Sequence, residues 1–366
     1  MSDPNKIGKE VIELNERLYR EGATDGLPVV PPTDELVAEM LRGTDLPGDH
    51  VLGHLGNRED PLTVERLAAN GVMAGCRPIH MPVLVAGGKA LSDPASNSMS
   101  FSVSTTGWAY LWMINGPIRD DIDIQSKSGA FGPGFRANRT IGRALGLAYR
   151  NTTRIYPGEK DMATLGNPFK YSLLAGENEE QSPWEPYHVS EEDYDTEEST
   201  ITLAGPSCYI SWTPYRNEPE YILEGMIDHM DPYMTGSGGH KTVWQLLCPY
   251  SAEQLGNAGL SKQNVKEFVR DNSYVDASKY ARGKYQDREV ERNDPRDIPS
   301  RQLPQISDTE SLKVLTVGGA GTVNATVGPS IGGPVTKRIE LPENWDALVE
   351  EYTVTPDWIK SSQFFE

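Results

Sequence analysis

Glycine and proline interrupt this chain so often that long regular elements have little room: 35 Gly and 27 Pro are spread through 366 residues. Glycine enters left-handed backbone without steric cost, and proline fixes φ and removes a donor. Such a chain builds short elements joined by tight turns and irregular loops, and loops are where sites usually sit. The length suits one large unit or two intimate ones. Hydrophobic residues reach 37%, enough to fill a core, which argues against global disorder.

The formal net charge is −19, with the densest acidic stretch at Glu191–Glu198. Phosphate backbones need a basic footprint, so nucleic acid is excluded as a partner. Anionic membrane surfaces are excluded on the same ground. The longest apolar run, Met81–Ala86, is far below the ~18 residues that span a bilayer. Met1–Ile12 has neither the basic nor the apolar region of an export signal. The three cysteines, Cys76, Cys208 and Cys248, form no C-x-x-C pair. Together these features predict a cytoplasmic protein with reduced thiols.

Apolar spacing predicts helices over 7–21, 34–41, 63–75, 81–91, 137–150, 218–230, 251–255 and 261–270. Thr33 and Thr63 stand where N-caps belong. Strands are expected at 101–103, 111–115, 200–204, 209–212, 242–247, 312–317 and 334–339. The acidic stretch from Glu185 to Thr200 reads as an exposed excursion, and 272–305 as a charged arm, poor in apolar residues. The fold class expected is α/β, with mixed α+β as the alternative: a layered sheet with flanking helices and long loops. Two regions are expected, 1–190 with the Gly-rich loop and acidic cluster, and 200–366 with the arm.

Five constellations carry candidate chemistry. Gly129, Gly132 and Gly134 precede a helix whose first turns hold Arg136, Asn138 and Arg139. Backbone amides, a helix N-terminus and guanidinium groups suit a carboxylate or phosphate, while the same glycines equally serve a turn. No Gly-Lys-Ser/Thr follows and the Gly-x-Gly-x-x-Gly spacing is missing, so no nucleotide cofactor is expected. Glu177, Glu179 and Glu180 crowd three carboxylates into four residues, followed by His188. Crowding can split carboxylate pKa values into an acid and a base, or hold a divalent metal, or mean no more than a solvated acidic turn. Cys76 has Arg77 and His80 nearby as activating groups, but sits at a helix C-terminus, which disfavours a thiolate. His240 follows a run of glycines and is a candidate base or metal ligand, with Glu177 and His188. Gly318, Gly319 and Gly321 end a predicted strand, the usual ligand edge of an α/β sheet.

Several segments form a distinctive set: Asp25–Thr33, Val72–Pro78, Asn115-Gly116-Pro117, Gly132-Pro133-Gly134 with Arg136-Ala137-Asn138, and Glu177 through His188. Together they resemble an uncharacterised bacterial family associated with small thiol or selenocysteine proteins carrying a U/C-G-S-C motif. The resemblance covers roughly the first 190 residues and transfers no catalytic residues. It implies a hetero-complex in which a small thiol protein supplies the redox group, since that motif is missing from this chain.

The functional expectation is an enzyme, a hydrolase or lyase, acting on a small polar or anionic molecule. Glu177, Glu179, Glu180, Cys76 and His80 are its candidate catalytic residues. Gly132, Gly134, Arg136, Asn138, Arg139 and Asn115 are its candidate substrate contacts. The rivals are a non-catalytic or half-site subunit of a heteromeric redox complex and a ligand-binding or storage protein. A homo-oligomer or a hetero-complex is expected.

Overall fold

The computed structural model describes residues 4–56, 60–230, 242–276, 302–306 and 308–357. In chain order, α1 (Pro4–Arg20) and α2 (Asp34–Leu41) precede an antiparallel pair, β1 (Val51–His54) and β2 (Pro61–Thr63). Helices α3 (Val64–Ala74), α4 (Met81–Ser92) and α5 (Ser98–Val103) lead to β3 (Leu111–Asn115), the short α6 (Ile118–Asp121) and the long α7 (Arg136–Thr153). Then come β4 (Leu174–Gly176), α8 (Tyr187–Ser190), β5 (Thr200–Ala204), β6 (Tyr209–Trp212) and α9 (Pro219–Asp228). Next are β7 (Thr242–Leu247), α10 (Pro249–Asn257), α11 (Lys262–Asn272), β8 (Tyr274–Asp276) and β9 (Gln302–Pro304). Finally come β10 (Leu312–Thr316), β11 (Asn324–Ser330), β12 (Val335–Arg338) and α12 (Trp345–Tyr352).

The local signals act as their chemistry requires. Thr33 and Thr63 accept hydrogen bonds from Leu36 N and Arg66 N, satisfying first-turn donors of α2 and α3. The Gly87-Gly88 pair of α4 serves close packing. A Cβ on Gly87 would stand 2.8 Å from Leu145, and one on Gly88 would stand 2.9 Å from Leu52.

Two four-stranded sheets organise the chain, in the orders β12-β5-β3-β4 and β10-β7-β11-β6. Each holds one parallel pair, β3 with β4 and β10 with β7, and is otherwise antiparallel. Side chains alternate between the faces of a strand. Trp112 and Ile114 of β3 therefore join α3, α4 and α7 in one core, which also takes Leu67, Leu84 and Leu145. Leu111 and Met113, on the opposite face, meet Trp244, Leu246 and Leu315 of the second sheet. Val243, Leu247 and Val314, on the far face of that sheet, pack on Ile222, Leu255 and Val265 of α9, α10 and α11. The result is a mixed α/β fold in four layers: helices, sheet, sheet, helices. The first sheet draws β3 and β4 from before residue 190 and β5 and β12 from after residue 200, so the division expected there runs through one sheet.

Two expectations are corrected. Phe101–Val103 lies in helix α5, not in a strand. A three-residue apolar run fits either form, and the helix lets the Phe101 ring stack on Tyr110 at 4.2 Å between centroids. The Glu185–Thr200 stretch is partly internal, with Tyr187 and His188 fully buried. The side chain of its Glu191, only 8% exposed, lies between Lys266 and Lys313, which neutralise it from distant parts of the sequence. Of the 272–305 arm, the flanking residues pair as β8 and β9, while 277–301 lie outside the described residues.

Candidate active site

Asn115 and Glu177 stand at the carboxyl ends of the parallel strands β3 and β4, the edge where α/β sheets place ligands. Asn115 Nδ2 donates to Glu177 Oε2 at 2.6 Å and to Glu179 Oε1 at 2.9 Å. Gly116 N adds a bond to the same Glu179 oxygen at 2.8 Å. The turn at Gly116 launches α6, which carries Arg119 back over the carboxylates.

Arg119 is the hub. Its side chain is 5% exposed and bridges Glu179 Oε2 at 2.9 Å and Glu180 Oε1 at 2.8 Å. Its Nε and Nη1 also donate to the carbonyls of Gly116 and Glu177, at 3.0 and 2.7 Å. Five donors in a planar fork match such a set of oxygens. Sequence reading missed this residue. The available signal was a guanidinium four positions after a strand end, beyond an Asn-Gly-Pro turn.

The environments of the carboxylates differ. Glu177 is fully buried, and burial pushes its carboxyl above the ordinary value despite Lys262 and the bonds from Tyr187 N and Asn115. Its Oε1 has no hydrogen-bond partner, and the Lys262 ammonium stands 3.8 Å away. Partial burial pushes Glu180 up too, but the hydrogen bond and charge of Arg119 more than reverse this and hold it below the usual range. His188 is fully buried, and burial with the Arg119 charge depresses it against the pull of Glu179. Neither of its ring nitrogens makes a hydrogen bond of ordinary geometry, although the Asp195 backbone acts on it.

The second sheet reaches the same place. Asn178 N donates to Thr316 O at the end of β10, and Asn178 Nδ2 to Gly318 O at 2.9 Å. Gly318 N donates to Ser126 O at 2.7 Å, and a Cβ on Gly319 would collide with Ser128 Oγ at 2.0 Å. Beside these loops opens a cleft of ≈ 400 Å³, walled by Arg119, Gln125, Ser126, Lys127, Phe135 and Glu180 among others. Glu180 is half exposed in it.

The structure thus brings Asn115, Glu177, Glu179 and Glu180 into one network with Arg119, and places His188 within reach of its charges. It uses the other candidates differently. Asn138 bonds Gln125, Ala130 and Leu174 backbone oxygens, and Arg139 bonds those of Ala130, Phe131, Ser172 and Leu174. Both residues fasten the Gly-rich loop to β4, so these donors are not aimed at an anion. Gly132 N closes a turn onto Gly129 O, and Gly134 turns the chain at φ +114°. Arg136 is exposed at the start of α7, where its charge acts on His80. Burial pushes the Cys76 thiol to about 12, against Thr140 and Arg143. Burial and two arginines push His80 down to about 3, and its Nδ1 accepts from Arg77 N. At neutral pH these are a thiol and an uncharged imidazole, without the thiolate that a nucleophile requires. His240 lies outside the described residues. Among the described residues no group of three or more His, Cys, Asp or Glu is arranged to hold a metal ion. Glu177 Oε2 is already engaged, and an ammonium faces its Oε1.

The Glu177 environment has a measurable consequence. The folded chain holds this proton more tightly than the unfolded chain does. Its burial therefore destabilises the fold increasingly as pH rises from the ordinary carboxylate range through the raised folded value. Glu177→Gln removes the titration and keeps an acceptor for Asn115 and Tyr187 N. Urea unfolding from about pH 4 to about pH 8 should show the variant gaining on the wild type as pH rises. Parallel curves would mean that Glu177 titrates as an ordinary carboxylate.

Among the described residues no helix is long and apolar enough to cross a membrane. Comparison with family models, curated proteins and solved structures returns no match.

Proposed function

We propose that the protein is an enzyme that acts on a small polar or anionic molecule by hydrolysis or elimination, in the cleft beside Glu180. One observation carries the reading: a single network, bridged by Asn115 and Arg119 at the carboxyl ends of β3 and β4, pushes one glutamate up and holds another down. Carboxylates perturbed by specific charge partners beside a cleft are a mark of functional sites.

Glu180 borders the cleft and stays ionised through the physiological range, so it acts as the base. A carboxylate of low basicity takes a proton only as that proton becomes acidic in the transition state, as on a water attacking a carbonyl carbon. Arg119 fixes the direction of Glu180 on the cleft wall. Glu177 touches no cleft surface. It positions Asn115, which in turn holds Glu179 on Arg119. Cys76, Cys208 and Cys248 form no disulfide, which suits a reducing cytoplasm.

The test is a screen of small hydroxy acids, amino acids, amides and esters for turnover, followed by Glu180→Gln on any substrate found. General-base loss typically costs about 10²–10⁴-fold in kcat, and circular dichroism should show the fold unchanged. Full turnover by the folded Glu180→Gln protein would remove Glu180 from the chemistry.

A further inference from the structure

A second, larger cleft of ≈ 580 Å³ lies at the opposite, amino ends of β3 and β4. A five-residue strand spans roughly 16 Å at ~3.3 Å per residue, so this cleft is separate from the carboxylate network. Its walls are aromatic: Phe101, Trp108, Tyr110, Trp112, Tyr149 and Phe169. Phe101 and Tyr110 stack, while Tyr149 meets the Tyr110 ring edge-on at 5.5 Å and Trp112 lies 5.8 Å from it. The indole N–H of Trp108 is already given to Ser104 Oγ.

The roof is the loop over residues 156–172, and polar pins hold it in place. Asn167 Nδ2 donates to Gly107 O and Ser207 O, and Thr164 N to Thr105 O. Lys170 pairs with Asp161. A loop pinned this way stands over the aromatic floor instead of collapsing onto it. The cavity far exceeds a packing defect and falls in the size range of small-molecule sites.

The cations at its rim define the ligand's charge. Arg143 is spent on Asp25 with two bonds of 2.8 Å. Lys170 pairs with Asp161, and Arg150 donates from Nη1 to the carbonyls of Gly22 and Thr24. An anionic ligand would also meet the carboxylates of Asp25 and Asp161 on the same lining, which offset two of the three cations and leave its desolvation poorly compensated. We infer that this cleft is a binding site for a small, neutral, planar aromatic molecule of one or two fused rings. The inference is independent of the chemistry proposed for Glu180.

Isothermal titration of the full-length protein with indole, and with indole-3-carboxylate as its charged counterpart, tests this. Indole should bind saturably at one site with Kd below about 1 mM, and the carboxylate at least about tenfold more weakly. Ala163→Trp fills the cleft from the loop, and Trp108→Ala strips one wall; each should weaken indole at least about tenfold. Ala163 lies in the roof loop, away from the core, so its variant folds even if Trp108→Ala does not. Glu180→Gln should leave indole binding unchanged. Absence of saturable binding, equal affinity for the carboxylate, or unchanged affinity in a folded Ala163→Trp protein would each overturn the assignment.

Discussion

Arg119→Met should lose about 3–5 kcal/mol of stability, the usual cost of stripping one partner from a buried charge pair. Methionine fills much of the same volume, so the loss comes from charge and hydrogen bonding more than from a void. Without the guanidinium, Glu179 keeps its bonds to Asn115 and Gly116 but loses its cation, with its side chain only 13% exposed. The carbonyls of Gly116 and Glu177 lose donors in the same step. Glu180 is half exposed and recovers water, so little of the loss is assigned to it. Urea unfolding at neutral pH reads the effect. Arg119→Lys, with one point charge in place of a fork, should fall between the two. A methionine variant within about 1 kcal/mol of wild type would mean the pair repays only its own desolvation.

Gly116→Ala should be nearly as damaging, at roughly 2–5 kcal/mol, from a left-handed backbone and a collision together. Gly116 has φ +84°, and a Cβ there would stand 2.3 Å from Glu198 O and 2.7 Å from Ser199 Cα. Both obstacles are backbone, so no side-chain rotation relieves them. Gly259→Ala separates the two contributions: its φ is +78°, but a Cβ would meet nothing within 4 Å. That control should cost only about 1–2 kcal/mol. Equal losses at the two positions would refute the collision. Because Gly116 N also holds Glu179, the Gly116 variant should lose, along with stability, any turnover that the proposed chemistry provides.

Much of the secondary structure is legible in the sequence, because its causes are local. Thr33 and Thr63 mark helix starts through one hydroxyl each, and the apolar runs at 111–115, 242–247 and 312–316 are buried strands. Strand β11 escapes notice because Gly328 and Pro329 interrupt it, although all seven of its residues are buried. The site is legible only in part. Three glutamates in four residues flag the network, but nothing local says that Asn115 and Arg119, about sixty positions earlier, complete it. Arg139 shows the converse. A guanidinium beside a Gly-rich turn serves an anion or the turn's own carbonyls, and only the path of β4 decides for the carbonyls. The acidic 185–200 stretch looks solvated because Lys266 and Lys313, which neutralise Glu191, lie 75 and 122 positions away.

The strand order of the first sheet bears on how the molecule is born. On the ribosome, β3, β4 and β5 emerge first, yet β5 has no outer neighbour until Arg338 has been added. Translation must therefore pass residue 338 before that edge is covered, and β6, β7, β10 and β11 appear in the interval. The second sheet, with all four strands between Tyr209 and Ser330, is therefore complete before the first, whose closure waits on contacts between distant parts of the polypeptide.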